Sequence, residues 1–324
     1  MVYRSKMRNY IIRRLLLAIP VLFLVSLIIF FIMRLVPGDI IDIMVERSQT
    51  PGFAVDRATL EKALGLDVPA LTQYGRWIGN IILHGDLGIS VWTRTPLIDE
   101  IAVRWPVTFE FGLMGLIIGQ LIALPIGILS ALRQDTWSDY LARSFAILCI
   151  AVPGFWVATM IIVFPSIWWG YMPPIVYTPF TEDPIGNLQM FIIPAVVLGM
   201  ALSGGTMRMT RTMMLEVLRQ DYIRTAWAKG LRERTVVVRH ALKNALIPIV
   251  TIMGGQVPIL IGGTVVLEQI FCLPGMGRLM IDATLSRDYL MVSAIMLILG
   301  CGILLINLGV DLTYAFLDPR IRYK

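Results

Sequence analysis

The sequence predicts an all-α integral membrane protein with six transmembrane helices and a small extracytoplasmic subdomain between helices 1 and 2. Of its 324 residues, 57% are hydrophobic and 15% are charged, whereas soluble domains average about 45–50% apolar and about 25% charged residues. The mean hydropathy is +0.75. Because such a chain has too few polar side chains to cover its surface in water, its natural solvent is a bilayer.

The first apolar run covers Leu15–Met33. As a helix of about 19 residues it extends about 28 Å, enough to cross the hydrocarbon core. The apolar region of a signal peptide is shorter, at about 7–15 residues, and is followed by small residues. This run instead ends in Met33 and Arg34. We therefore predict a retained transmembrane helix that follows a cytoplasmic N-terminus of residues 1–14.

The other five spans are predicted within a core of residues 106–317. Their expected bounds are Val107–Leu132, Arg143–Trp168, Met190–Met207, Ile247–Ile270 and Tyr289–Leu317. Six crossings place both termini on the same side of the membrane. The segments 1–14, 133–143, 208–243 and 318–324 carry 19 of the 28 lysine and arginine residues. The positive-inside rule therefore predicts that both termini are cytoplasmic, including the tail 318–324.

The hydrophilic segment 34–105 is longer than a connection requires, and we predict that it forms the extracytoplasmic subdomain. Asp56 is a candidate cap for a helix that runs to Leu64 and stops at Gly65. A second helix is predicted between Pro69 and Gly85. Its expected apolar face consists of Leu71, Tyr74, Ile78, Ile81 and Ile82. Either a lid on the outer mouth or a surface that meets a substrate-delivering protein fits this pattern.

The second hydrophilic segment, 208–247, is predicted to be cytoplasmic and contains a short helix with its own end signals. Asp221 is the expected N-cap, Lys229 lies in the expected last turn, and Gly230 is placed to end the helix. Small residues such as Ala226 permit close approach, and Trp227 can fill a pocket. Although the basic residues also suit a segment next to anionic headgroups, these features favour docking on a partner.

No motif for energy conversion or catalysis is present in the sequence. It lacks the GxxxxGK[ST] phosphate loop. The three cysteines are scattered, and the two histidines do not form a metal-binding or catalytic pattern with them. We therefore expect no enzyme activity, metal or cofactor on this chain. A self-sufficient secondary transporter remains an alternative, although no clear acidic relay is visible, and so does a membrane-embedded enzyme or assembly factor.

Short motifs along nearly the whole chain resemble, in order and spacing, those of one known family. They are Arg34–Asp39 (RLVPGD), Gly85–Ser90 (GDLGIS), Arg104–Thr108 (RWPVT), Pro153–Trp156 (PGFW), Tyr222–Leu231 (YIRTAWAKGL), Arg239–Ala245 (RHALKNA) with Pro248, Glu268–Phe271 (EQIF), Pro274–Gly277 (PGMG), Arg287–Tyr289 (RDY) and Asp318–Arg322 (DPRIR). The chain resembles the B-type permease subunit of binding-protein-dependent ABC importers in the dipeptide, oligopeptide and nickel branch.

This resemblance implies a type I ABC importer-like fold in a bacterial inner membrane. It implies as partners a second, homologous permease subunit, two ATPase subunits that bind ATP and Mg, and an extracytoplasmic solute-binding protein. In that family the cytoplasmic segment is the EAA loop, whose coupling helix inserts into a groove on an ATPase. The implied coupling residues here are Asp221, Tyr222, Ile223, Arg224, Thr225, Ala226, Trp227, Ala228, Lys229, Gly230 and Leu231.

The residues that line the translocation pathway are harder to predict. The candidates lie on the middle spans and are Phe155, Trp156, Met200, Gly204, Met207, Gln256 and Glu268. Each of them also suits a lipid-facing or helix-packing position. The resemblance favours peptides as the imported solute and leaves nickel chelates, glutathione, opines and oligosaccharides open.

Overall fold

The structure is a computed structural model that describes residues 2–35, 61, 67–170, 172–174, 176–262 and 264–317. Within these ranges the regular structure is helical, apart from an isolated bridge between Ile89 and Pro96. The helices are α1 Val2–Leu35, α2 Ala70–His84, α3 Leu97–Leu132, α4 Trp137–Ala151, α5 Gly154–Trp169, α6 Pro184–Leu218, α7 Asp221–Ala228, α8 Glu233–Thr235, the π-helix π1 Val236–Leu242, α9 Lys243–Gln256, α10 Ile259–Gly262, α11 Val265–Ile270, α12 Met276–Leu285 and α13 Tyr289–Leu317. The all-α prediction is confirmed.

Four of the described helices, α1, α3, α6 and α13, are long and apolar enough to cross a membrane, and the number rises to six if each of two bent helix pairs counts as one span. The predicted span Arg143–Trp168 is divided between two helices, α4 and α5, which meet at an angle of 93°. Val152, the residue before Pro153, adopts an extended conformation. The proline ring disfavours helical geometry there, and proline has no N–H to continue the ladder.

The predicted helix Ile247–Ile270 is also divided, into α9, α10 and α11. Pro258 lies in the first gap, between Gln256 and Ile259. Because proline cannot donate to the helical ladder, it favours a break at this point. The helices α1, α3 and α6 extend beyond their predicted bounds, whereas α13 spans Tyr289–Leu317 as predicted.

The chain divides into two compact units. The first comprises Met1–Pro106 and Gly275–Leu304, and the second comprises Val107–Pro274 and Leu305–Lys324. Two of the three boundaries fall inside α3 and α13, and the third lies just before α12.

In the first unit, α2 packs against α1 through an aromatic cluster. The rings of Phe30 and Trp77 stack with centroids 5.8 Å apart, and the Tyr74 hydroxyl lies 2.8 Å from Ser26 Oγ in a buried hydrogen bond. Leu297 of α13 completes the cluster. This arrangement fixes α2 on α1.

The predicted second helix of the hydrophilic segment is confirmed as α2, with Pro69 as its N-cap and Gly85 as its left-handed C-cap. The prediction of its apolar face is only partly correct, because Tyr74 is buried whereas Leu71 and Ile82 are 69% and 74% exposed. The helix predicted from Asp56 to Leu64 lies largely outside the described residues, as does the tail 318–324.

Asp288 joins two parts of the first unit that are distant in sequence. Its Oδ1 accepts a hydrogen bond from the Met291 amide at 3.1 Å and so caps α13. Its Oδ2 accepts from Ser90 Oγ at 2.7 Å. Trp92 Nε1 donates to the Ser286 carbonyl at 2.9 Å. The loop after α2 is thereby fastened to the turn before α13.

In the second unit, α6 packs closely between α3 and α4. A Cβ added at Gly119 of α3 would lie 3.0 Å from the Gly199 carbonyl oxygen, and one at Gly115 would lie 2.5 Å from a methyl of Leu198. In the sequence, the GxxxG spacing of Gly115 and Gly119 favours a helix-packing contact, and both glycines lie in such a contact. On the α4 side, a Cβ at Gly204 would lie 2.8 Å from the Ala146 carbonyl oxygen.

Candidate functional site

The candidate site is α7, which follows α6 after a two-residue turn. Its N-cap is Gln220, with extended backbone angles and no side-chain capping bond. The predicted role of Asp221 as the cap is therefore wrong. Asp221 is instead the first helical residue, where its carboxylate still interacts favourably with the helix dipole. Its ion pair with Arg224, at 3.5 Å, is fully exposed to solvent and contributes little to stability.

The C-terminus of α7 has the hydrogen bonds of a Schellman motif. Gly230 is left-handed with φ +74°. Its amide donates to the Trp227 carbonyl at 2.9 Å, and the Leu231 amide donates to the Ala226 carbonyl at 3.4 Å. The predicted stop at Gly230 is confirmed, while Lys229 is the C-cap rather than part of the last helical turn.

One face of α7 is anchored in its own chain. Ile223 is fully buried and Ala226 is 6% exposed. Both belong to a hydrophobic cluster, called the α7 cluster below, whose buried members are Ala131, Met214, Ile223, Ala226, Val236, Val237, Ala241, Ala245 and Ile249. The small side chain of Ala226 therefore permits α7 to approach its own protein, and it is not on the face that a partner would touch.

The rest of the α7 surface is open. The exposed residues of α7 and those just after it are Asp221, Tyr222, Arg224, Thr225, Trp227, Ala228, Lys229, Gly230 and Leu231. Trp227 is 44% exposed, and the Tyr222 hydroxyl accepts a hydrogen bond from Asn244 Nδ2 at 2.9 Å. A half-exposed tryptophan among cationic side chains is suited to an apolar pocket with an acidic rim.

After the turn at residues 229–232 the chain resumes as a helix at Glu233, and the segment Val236–Leu242 is π-helical. Val236, Val237 and Ala241 of this segment pack in the α7 cluster. π-Helical segments frequently occur at functional sites. Nothing in the sequence pattern predicted this one, because its residues are compatible with an ordinary α-helix.

Sequence reasoning also missed a buried ion pair near α7. Arg211 of α6 donates two hydrogen bonds to the carboxylate of Asp139, whose side chain is fully buried. In the sequence, Arg211 is only one of the positive charges of the hydrophilic segment 208–247. The available signal was Asp139 in the first turn of α4, where an acidic residue has an ordinary role at a helix N-terminus.

The structure separates the candidate pathway residues into exposed and packed ones. Phe155 and Trp156 are 55% and 52% exposed on α5. Gly204 is a packing contact of α6 with α4, and Met207 is 2% exposed in a cluster that also includes Met200 at its edge.

Gln256 and Glu268 lie at separate polar sites. Gln256, at the end of α9, donates to the Leu202 carbonyl at 2.9 Å and accepts from Gln120 Nε2 at 2.9 Å. Glu268 is fully buried, and its Oε1 accepts from the hydroxyls of Thr108 and Thr264 at 2.8 and 2.6 Å. Among the described residues, no three His, Cys, Asp or Glu side chains are grouped so that they could hold a metal ion.

The N-terminal half of α3 carries another polar contact. The Tyr177 hydroxyl, in the loop before α6, donates to Glu110 Oε2 at 3.5 Å. Burial raises the pKa of Tyr177, and the neighbouring Glu110 carboxylate raises this pKa further. The tyrosine therefore remains a neutral donor to the carboxylate.

Comparison with known families matches almost the full chain. A family model described as "Binding-protein-dependent transport system inner membrane component" matches residues 123–323, and a model of the N-terminal part of such membrane components matches residues 7–112.

Several relatives are similar over their full length. A protein of Brucella abortus (strain 2308), named as a peptide transport system permease, is 41% identical over 98% of this chain and 100% of its own. The oligopeptide transport system permease protein AppB of Bacillus subtilis (strain 168) is 39% identical over the same shares. The glutathione transport system permease protein GsiC of Escherichia coli (strain K12) is 36% identical, also over 98% and 100%.

A solved structure has a similar fold. A chain of the MetNI methionine ABC transporter, in an inward-facing conformation, aligns with a TM-score of 0.54 and 15% sequence identity. The alignment covers 68% of this chain and 96% of that one.

Proposed function

Because the chain belongs to the family of inner membrane components of binding-protein-dependent transport systems, we propose that α7 is the element through which a partner ATPase drives solute import. The protein is a multi-pass permease subunit of an ABC importer and is not itself catalytic. Such a subunit works with a partner permease, an ATPase and a binding protein. The ATP and Mg are bound by the ATPase.

The observation that carries the proposal is the two-sided character of α7. One side is fixed in the α7 cluster by Ile223 and Ala226, and the remaining surface presents Trp227, Asp221 and cationic groups to solvent. The Schellman motif at Gly230 keeps the last turn in shape. A short helix that holds its shape and is anchored along one face can transmit a displacement imposed on its free face.

The finer arrangement follows the same proposal. Two ATPases act on this chain and one homologous permease, and both termini of this chain lie in the cytoplasm, as the distribution of basic residues supports. ATP binding closes the ATPase dimer, and α7 moves with its docking groove. The transmembrane helices then open outward to receive solute from the binding protein, and hydrolysis resets them. The extracytoplasmic subdomain around α2 acts either as a lid on the outer mouth or as the surface that meets the binding protein.

Truncation of Trp227 tests the docking face. In Trp227→Ala the side chain that fills the partner's pocket is lost. The free energy of ATPase binding to the purified permease should therefore weaken by about 2 kcal/mol or more, the usual loss at an interface hot spot. The matched control is Trp137→Ala, since Trp137 is also exposed but begins α4. Equal ATPase retention and equal uptake in the two variants would show that the docking face lies elsewhere.

The alternative, an ion-gradient-driven transporter, is tested with the same preparation. This chain alone in liposomes should not accumulate solute under a proton or sodium gradient, and uptake should require the second permease, the ATPase and the binding protein. Accumulation by the isolated chain would overturn the importer mechanism.

Short peptides or similar small solutes are the proposed cargo, supported by the names of the relatives in peptide, oligopeptide and glutathione transport. Of the pathway candidates, the exposed Phe155 and Trp156 are those we assign to the pathway. Uptake of labelled trialanine should exceed that of a labelled nickel chelate or a labelled maltotriose. Labelled glutathione distinguishes a general peptide importer from a glutathione importer. Preferred uptake of the chelate or the sugar would contradict the proposal.

A further inference from the structure

The buried pair Asp139–Arg211 forms a closed set of hydrogen bonds. Arg211 Nε donates to Asp139 Oδ1 at 2.8 Å and Arg211 Nη2 donates to Oδ2 at 2.7 Å. Ser130 Oγ donates to Oδ1, and the Asp135 amide donates to Oδ2 at 3.0 Å. Each carboxylate oxygen therefore accepts two hydrogen bonds. The Asp139 side chain is fully buried, and that of Arg211 is 21% exposed.

These bonds join three helices at one end of the second unit. Ser130 belongs to the last turn of α3, Asp139 to the first turn of α4, and Arg211 to α6. The connection between α3 and α4 turns sharply at Asp135, whose φ is +60°. Asp139 holds that turn through the Asp135 amide. The pair thus fixes the α3–α4 corner to the helix that leads into α7.

Two further contacts support the same connection. Ala131 of α3 packs with Met214 and Ile223 in the α7 cluster. Arg219, in the turn before α7, donates to Gln134 Oε1 at 3.4 Å. The α3–α4 corner is therefore held to α6 by a buried charge pair and to α7 by apolar packing.

A buried ion pair of this kind contributes little net stability to the fold, because the desolvation of both charges offsets much of their attraction. Its geometry is nevertheless specific, since a bidentate guanidinium–carboxylate pair tolerates little displacement. The pair resists sliding of α6 along the corner more than an apolar contact of the same area would.

We infer that Asp139 and Arg211 are positioning residues that unite α7, the end of α6 and the α3–α4 corner into one rigid body. A displacement of α7 is then delivered to three transmembrane helices together. The inference rests on the proposed function, in which the partner ATPase moves α7.

The first test measures rigidity in the wild-type pair. In a cysteine-free chain, Gln220→Cys and Trp137→Cys place spin labels at two exposed sites, one beside α7 and one at the start of α4. The assembled complex is compared in the nucleotide-free state and after trapping with ATP and vanadate. The interlabel distance distribution should be the same in both states. A distance that changes on trapping would overturn the inference.

The second test removes one charge while preserving shape. In Asp139→Asn, the ATPase should remain bound. The interlabel distance should now differ between the two nucleotide states, and the number of ATP molecules hydrolysed per solute imported should rise about tenfold. The matched control is Asp282→Asn, since Asp282 pairs with Arg278 at 3.9 Å on an exposed surface, and it should change neither quantity. An Asp139→Asn complex that stays fully coupled would refute the inference.

These tests distinguish a failure of the rigid body from a failure of the proposed function. If Asp139→Asn does not assemble, the wild-type distance measurement still decides whether the corner and α7 move together. The Trp227→Ala experiment addresses docking independently. An ATPase that docks on α7 while the interlabel distance changes would overturn the rigid body and leave the proposed function intact.

Discussion

Substitution of Gly230 tests whether the shape of α7 matters for coupling. In Gly230→Ala, a Cβ would meet no atom within 4 Å, so the cost comes from the backbone angle of +74° alone. That cost is about 1–2 kcal/mol for a residue with a side chain. Gly230→Pro also removes the 2.9 Å hydrogen bond to the Trp227 carbonyl and forces a negative φ, for a total of about 3 kcal/mol or more.

These magnitudes are large for this helix. It has eight residues, and isolated helices shorter than about 12–15 residues are marginal. A penalty of about 1–2 kcal/mol raises the population with a frayed last turn by about 5–30-fold. The fraying affects Trp227, which lies in that turn, while Ile223 remains in the α7 cluster. We therefore expect normal insertion and a loss of coupling that is greater for proline than for alanine.

The assay measures membrane abundance, ATP hydrolysis and solute uptake of the complete complex in proteoliposomes. The matched control is Gly205→Ala, because Gly205 lies inside α6 with no atom near its added Cβ and no positive φ. This control should be neutral or slightly stabilising. Wild-type uptake per ATP in Gly230→Pro would refute the proposed role of the capped helix.

Two further predictions concern stability, read as the melting temperature of the purified complex. Gly119→Val forces a branched side chain against the Gly199 carbonyl oxygen, already 3.0 Å from an added Cβ, and should destabilise the second unit by about 1–3 kcal/mol; an unchanged melting temperature would contradict the α3–α6 contact. Asp288→Ala removes the cap of α13 and the bond to Ser90 and should cost about 0.5–2 kcal/mol for the cap alone. An equal effect of Asp282→Ala, at an exposed site, would show that the cap is not the cause.

Some features of the structure could be predicted from the sequence because they depend on one or a few neighbouring residues. The stop at Gly230 is an example, since only glycine adopts positive φ without a steric penalty. The contact of Gly115 and Gly119 is another, because small residues four apart leave a groove on one helix face. The helix α2 was predicted within one residue at each end by Pro69 and Gly85.

Other features depended on neighbours distant in sequence. Pro165 and Pro194 lie within the continuous helices α5 and α6, whereas Pro153 marks the 93° bend between α4 and α5. Each of these three prolines lacks the backbone N–H that would donate to the helical ladder. Whether a helix continues past them depends on the packing around it, which a local pattern does not contain.

The sequence alone determined that this protein is helical and resides in a bilayer, because apolar segments of this length must satisfy their backbone hydrogen bonds internally. It also determined where α7 ends, since that choice is local to Gly230. Only the tertiary structure decided that Ala226 faces inward, that Trp227 faces outward, and that Asp139 meets Arg211 across 72 positions of sequence. Those outcomes are set by which helices come together, and the free energy of that packing is shared among residues far apart in the chain.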